Sequence, residues 1–411
     1  MSRTTDLRSV ILVAGFPSDS IVLTGCGWVT PFAAGSIATV LTAAPEAAGR
    51  GPSAEDRYWA VPDSRLADRP HLSKELTGNK GAWMTAVAFE HARREAGLQP
   101  NSVAPERIGL ALGCALAGQL GMIEFANEVR QQTARFVSPI HFPQTVGNYV
   151  AGALARAYNL RGPNVTLSSG VASGLDALIE GCRLLRAGEA DVVFAGGTDC
   201  MSDALALGLA EPGPDAPRLS EGACLFVLER AEHADRRGVA PLAAVTGACQ
   251  SAPRERVDIP VSSGRVAGAP ANGPSQKIGM SPFSPETGDR LVSVAGRTNL
   301  GDAIPQAENL KIPFPFIWIE HWVGQCFAAL GAAAAAAALG AAAGLEVPLL
   351  DTAASIDAAR RPPPSSAGGA ASVSLGRIAL PSPPAPINIT VLADADGAHL
   401  TTLELTVPPT R

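Results

Sequence analysis

Apolar residues in this chain fall into short continuous runs separated by helical patterns. The first run, Ile21 to Thr24, is read as a strand that ends in a turn at Gly25-Cys26-Gly27 and passes through Trp28-Val29-Thr30 to Pro31, glycine and proline being the usual punctuation. Ile108 to Leu112, Val165 to Leu167 and Asp191 to Gly197 are further runs without alternation, as expected of strands covered on both faces. Between the last two, Ser173 to Arg186 places Leu175, Leu178, Ile179, Cys182 and Leu185 at helical spacing, with Gly188 as the C-terminal cap. Strand, helix, strand in that order predicts parallel pairing.

A second unit begins near Pro241, with Leu242 to Val245 as a strand, and no short-period repeat is visible. Ser251 to Arg290 is loaded with Pro, Gly and Ser and reads as a long loop, as does Arg360 to Gly369. Ile387 to Leu392 and His399 to Val407 read as strands joined at Asp394 to Gly397. The expected division is an extension over 1–20, one half over 21–240 and a second over 241–411, the second containing irregular segments 251–290 and 360–369. Trp322 to Leu345 holds no charged residue and is long enough to span a bilayer. It is mostly Ala and Gly, which gain little from lipid and suit a helix packed tightly inside a large domain, so no membrane span is expected.

Composition narrows the class. The 411 residues are 46% hydrophobic and 17% charged, with 42 Gly and 34 Pro, which fits a turn-rich α/β protein with a sizeable core. The net charge of −6 with scattered basic residues argues against a nucleic-acid partner. Seven cysteines without CxxC spacing read as reduced, buried small hydrophobes, which points to the cytoplasm and calls for no metal. Val10 to Phe16 is too short an apolar stretch for a signal peptide, and export is not expected.

Four ordered stretches carry a resemblance. Ile21 to Pro31 reads IVLTGCGWVTP; Phe142 to Asn148 reads FPQTVGN and is followed by Ala151-Gly152; Leu160 to Asn164 leads through Gly170 into Val171-Ala172-Ser173-Gly174; Arg186 to Gly197 reads RAGEADVVFAGG. Together they resemble the β-ketoacyl-acyl carrier protein synthase family, and four motifs in order over about 200 residues are far more specific than any one glycine pattern. The resemblance implies a thiolase-like duplicated fold, αβαβα in layers and dimer-forming, with the strand before Val171 pairing across the two-fold or pseudo-two-fold interface.

The family's chemistry is then read residue by residue. Its cysteine nucleophile sits at a strand-to-helix turn, in xxCASG, where a helix N-terminus favours thiolate and oxyanion. That position is Val171 here, which offers no nucleophile. The family's HGTxTxxxD matches Val294 to Asp302, placing Val294 at the first histidine; KxxxxH matches Glu320 to Gln325, so lysine becomes Glu320 and the second histidine Gln325. The loop before Glu221-Gly222-Ala223 is shortened, and no FGFGG gate is found. The resemblance therefore implies a catalytically degenerate subunit of chain-length-factor type, bound to an active ketosynthase, serving acyl carrier protein and needing no cofactor.

Leu116, Leu120, Met122, Ile123 and Phe125 fall where the family lines its acyl tunnel, the plain alternative being helix core. Relocated chemistry would have to come from Cys326, His321 or Ser169, in an independent homodimeric enzyme or acyl-binding protein. A free cysteine in an apolar helix usually packs, and a serine at a turn is usually a turn residue. A third reading is a scaffold subunit whose cavity is filled by side chains.

Overall fold

The computed structural model describes residues 17–47, 58–67, 73–209 (apart from 133–134, 138 and 140), 219–251, 290–295, 316–318, 326–350 (apart from 344 and 346), 375–378, 387–395 and 399–407. Glu320, His321 and Gln325 lie outside them, as do residues 252–289 and 360–369.

The strands are β1 Ile21–Val29, β2 Ala34–Gly35, β3 Ile108–Gly113, β4 Asn164–Leu167, β5 Val192–Asp199, β6 Gly222–Arg230, β7 Ala243–Ser251, β8 Arg290–Ala295, β9 Phe316–Trp318, β10 Val347–Leu350, β11 Leu375–Ile378, β12 Ile387–Ala395 and β13 His399–Val407. The helices are α1 Ile37–Ala47, α2 Asp63–Leu66, α3 Lys74–Thr77, α4 Lys80–Glu95, α5 Ala117–Gln132, α6 Tyr149–Tyr158, α7 Ser173–Arg186, α8 Asp203–Leu209, α9 Ala231–Arg236 and α10 Ala328–Ala342.

One sheet runs β4-β3-β5-β6-β1-β7-β13-β12-β8-β9. Outward from the centre, the first half is ordered β1, β6, β5, β3, β4: two antiparallel pairings, then two parallel ones. The second half is ordered β7, β13, β12, β8, β9 and repeats that pattern of directions. The halves are therefore copies in topology, joined where β1 meets β7 in a three-pair antiparallel seam, Ile21 to Leu23 against Val245 to Ala243. Parallel pairing, as predicted, holds for β4, β3 and β5; the flanking strands run antiparallel.

Helices α7 and α10 occupy equivalent places in the two copies. Each lies between the last parallel edge strand of its half and the strand that follows, and the two helices touch. On one side α10 touches β5 and β6, on the other β8 and β12. All its residues are buried. This explains its sequence: a helix enclosed on every face has no polar side, and the spacing leaves room for little beyond Ala and Gly. A Cβ on Gly331 would stand 3.2 Å from Leu175. Helices α4 and α6 cover the opposite face of the first half-sheet. No helix among the described residues is long and apolar enough to cross a membrane.

The expected turn at Gly25-Cys26-Gly27 is a correction. The strand continues unbroken to Val29. Cβ atoms on Gly25 and Gly27 would lie 2.4 Å from the Ala92 carbonyl and 1.8 Å from the Ala88 carbonyl, so these glycines exist to let α4 lie directly on β1. Helix α7 has its predicted bounds. Gly188, at φ +72°, follows it, and Glu189 N–H to Leu184 O with Gly188 N–H to Leu185 O make a Schellman closure.

Candidate functional site

Strand β4 ends at Leu167 and the chain reaches α7 through Ser168, Ser169 and a 3-10 turn over Gly170–Ala172. Gly170 sits at φ +60°, a conformation open to glycine at no steric cost. Ser173 fastens this elbow: its hydroxyl donates to Gly170 O at 2.7 Å and accepts from Ser169 N–H at 2.8 Å. Ser169 Oγ donates to Asp176 Oδ2, and Asp176 Oδ1 accepts from Gln250 Nε2 of β7 at 2.7 Å, so the elbow of one half is tied to the sheet of the other.

Val171 is buried in this turn, in the same apolar cluster as Ile389, Val391, Leu403 and Leu405 from the second half. Such a side chain neither ionises nor attacks a thioester. Opposite it stands the corresponding turn of the second half. A Cβ on Gly174 would lie 2.2 Å from Ala328 O, and one on Gly331 3.3 Å from Val171 O, so the N-termini of α7 and α10 meet.

Of the relocated-chemistry residues, Cys326 lies here, buried, its sulfur close against Gly222. Burial also encloses Cys26, Cys114, Cys182, Cys200 and Cys224 and pushes the Cys182 and Cys200 thiols up to about 12, leaving those two as packing groups. Ser169 gains a carboxylate partner, Asp176, that sequence reasoning did not supply. Val294 lies within β8. Among the described residues, no three His, Cys, Asp or Glu side chains are grouped to hold a metal ion.

The five tunnel residues divide. Leu116, Leu120 and Ile123 gather with Met201, Leu205, Leu219, Tyr58 and Phe327 in a satellite apolar cluster. Met122 points outward at 57% exposure, and Phe125 packs edge-on against Phe142 at 5.8 Å. Leu116, just ahead of α5, and Leu120 and Ile123 within it thus share one apolar cluster, while Met122 and Phe125 lie outside that cluster.

Asp199, ending β5, is the site's most heavily engaged side chain. It is fully buried, and its carboxylate accepts Leu116 N–H at 2.7 Å, Ala115 N–H at 3.2 Å and Ala328 N–H at 2.8 Å. Burial pushes its pKa up to about 7, against the opposing pull of these donors. Since the folded value stands above the ordinary carboxylate value near 3.9, stability from this group is fullest below about pH 4 and is lost as pH rises through 7. The expected outcome is that the unaltered chain loses roughly 2 kcal/mol more stability than Asp199→Asn between about pH 5.5 and about pH 8, read from denaturant midpoints. Equal losses in the two chains would refute this account.

Residues 79–216 match the model of the beta-ketoacyl synthase N-terminal domain, and the described mixed α/β fold is like that of a beta-ketoacyl synthase from Burkholderia phymatum, at a TM-score of 0.69 and 19% identity. Among curated proteins, the chain is 33% identical over 179 residues to 3-oxoacyl-[acyl-carrier-protein] synthase 2 of Vibrio cholerae, an overlap covering 38% of this chain and 42% of that protein. The chain spans about half the length of the first curated relatives it matches. Two solved structures share the fold at a TM-score of 0.67: the ishigamide ketosynthase/chain length factor, at 17% identity, and a type II PKS acyl-carrier protein in complex with its ketosynthase bound to the hexaketide, at 18%. Each covers 95% of this chain, over the whole of the other.

Proposed function

We propose that this chain is a non-catalytic ketosynthase-like subunit of the chain-length-factor type. It pairs with an active ketosynthase, receives chains carried on acyl carrier protein and helps bound the space the growing chain occupies. The observation that carries this reading is Val171: the elbow, its glycine, its serine tie and its helix are all present, yet the side chain where the family's motif has cysteine is apolar and packed into the core. Keeping the framework while replacing the reactive group suits a subunit selected for its shape. With Val294, Glu320 and Gln325 at the other motif positions, neither thioester exchange nor decarboxylation has its acid, base or nucleophile. The reading invokes no metal or cofactor and places the protein in the cytoplasm.

Two surface features support a paired state. Among the described residues strand β4 is an edge of the sheet, with Val165, Thr166 and Leu167 only partly covered, and an unpaired edge is a template for another strand. Beside α5, Phe136, Phe142 and Val146 are exposed at 69%, 57% and 41%, which costs hydration unless a partner covers them.

The competing reading is an independent homodimeric acyl-binding or acyl-transfer protein, and the Ser169 to Asp176 hydrogen bond is what favours it. Asp176 is equally engaged by Gln250, so the pair also serves as a structural tie. Co-expression with the ketosynthase encoded nearest to it, followed by native mass measurement, is expected to return a one-to-one heterodimer. A homodimer indifferent to every ketosynthase offered would overturn the proposal, as would loss of product on altering Ser169, Cys326 or His321 singly.

A further inference from the structure

The three amides that meet Asp199 are shared unevenly between its two oxygens. Oδ1 accepts Leu116 N–H alone, at 2.7 Å, whereas Oδ2 accepts both Ala328 N–H at 2.8 Å and Ala115 N–H at 3.2 Å. Each carboxylate oxygen has two lone pairs. Both are taken on Oδ2 and one is spare on Oδ1, so a proton arriving at this buried group goes to Oδ1. Oδ2 then remains a carbonyl oxygen and keeps its two amides. Oδ1 becomes an acid hydroxyl, a poor acceptor, and the charge-assisted bond from Leu116 N–H weakens.

The Ala328 bond has a second reason to persist. Phe327, next to it, stands at φ +43° and ψ −111°. A bulky residue with positive φ holds that conformation only where its surroundings fix it, and the Ala328 bond fixes one side of this turn. On the other side of Asp199, Cys114 N–H is held by Leu167 O at 2.8 Å and Leu116 O accepts Gln119 N–H at 2.9 Å as α5 begins. The step that can give is therefore Leu116 itself.

The surroundings of Asp199 hold few charges. The thiols of Cys114 and Cys200, both buried, face it from the segments that leave β3 and β5. Cys200 in turn faces Glu221, from the segment entering β6, and Lys80 of α4, an ion pair at 2.8 Å; Tyr58 and Asp203 lie around the same Glu221. Helix α10 brings no titratable side chain, Cys326 is buried ahead of it, and Asp176 of α7 is turned to Ser169 and Gln250. Among the described residues, the hydrogen-bond partners of Asp199 are all backbone amides, so its charge is balanced by these bonds and by the N-terminus of α10.

We infer that Asp199 is a proton-operated fastening for the start of α5: ionised, it holds Leu116 and the start of α10 together; protonated, it keeps α10 and releases Leu116. Burial places this event at a pKa of about 7. The fastening is independent of what the chain pairs with. Its effect reaches the surface, because a Cβ on Gly121 would stand 2.2 Å from Gln144 O: α5 rests directly on the turn that carries the exposed Phe142.

The test is a pH titration of the full chain, labelled with nitrogen-15 in leucine and alanine, followed by amide resonances between about pH 5.5 and about pH 8. The Leu116 amide proton is expected to move upfield on acidification with a midpoint near neutrality, and its protection from hydrogen exchange, relative to the intrinsic rate at each pH, to fall about tenfold. The Ala328 amide should move much less. Asp199→Asn, whose carbonyl oxygen can serve Ala115 and Ala328 while its amide group faces Leu116 N–H, should leave Leu116 at its acid-end position throughout. A Leu116 amide unchanged across the range, or one that moves in step with Ala328, would overturn the inference. So would a Leu116 titration that survives Asp199→Asn, since another group would then be its source. The comparison of Leu116 with Ala328 is made within the unaltered chain and decides the matter even where the asparagine variant does not fold.

Discussion

Gly197→Ala is expected to prevent folding or to cost at least about 3 kcal/mol, because the added methyl has nowhere to go. A Cβ there would stand 1.9 Å from Ala328 O and 2.5 Å from the carbonyl carbon, and both belong to the backbone that opens α10. No rotamer change relieves such a contact. Helix α10 would have to lift from β5, taking with it the Asp199 tie to Ala328 N–H and the turn that carries Phe327. Gly208→Ala in α8 is the matched control, since nothing lies within 4 Å of a Cβ at that position. It is expected to be neutral or to gain up to about 1 kcal/mol from helix propensity. Soluble yield and denaturant midpoints of the two variants decide the matter: a Gly197→Ala chain as stable as the control would mean that α10 does not rest on β5.

The second large effect is expected at Glu229. Its carboxylate is buried at the end of β6 and accepts from Thr24 Oγ1 at 2.6 Å and from Arg237 at 2.7 and 3.1 Å, with His233 as a further partner. Burial alone would raise its pKa; the bonds from His233, Arg237 and Thr24 outweigh that and hold it below the ordinary glutamate value. Glu229→Gln leaves the Arg237 guanidinium facing a neutral amide in a mostly enclosed place, and removing one partner of a buried pair costs on the order of 3 kcal/mol. For a depressed carboxylate, the stability is present above the unfolded pKa and is lost as pH falls through the folded one, so the unaltered chain should lose this contribution in acid. The variant should lack that part of the acid dependence. Superimposable acid unfolding curves for the two chains would show that the network contributes nothing.

Strands β3 and β5 and helix α7 were legible because each is a continuous buried run or a clean helical stripe, and these depend on local sequence alone; β4 was legible as a short apolar run, but it is only partly covered rather than enclosed on both faces. The glycines of β1 misled because glycine signals a turn and a close approach alike; only the position of α4 distinguishes them. The duplication of the fold could not be found as a sequence repeat, since the halves share strand order and direction rather than side chains. The division of the α5 residues was within reach of periodicity: Leu116, Leu120 and Ile123 follow three- and four-residue steps on one face, whereas Met122 and Phe125 form an adjacent stripe. Asp199 left a faint signal, a lone carboxylate ending an apolar strand, where an ionisable group needs partners.

Bringing α7 and α10 together end to end has an electrostatic consequence. Both helices direct their N-termini, the positive ends of their dipoles, toward one meeting point, and like ends repel. The chain supplies its own counter-charge, Asp176 in the first turn of α7 and Asp199 on the first amide of α10. Because burial sets the Asp199 pKa at about 7, half of this compensation is present or absent according to a single proton near neutrality. The local field between the two helices thus follows the protonation of Asp199.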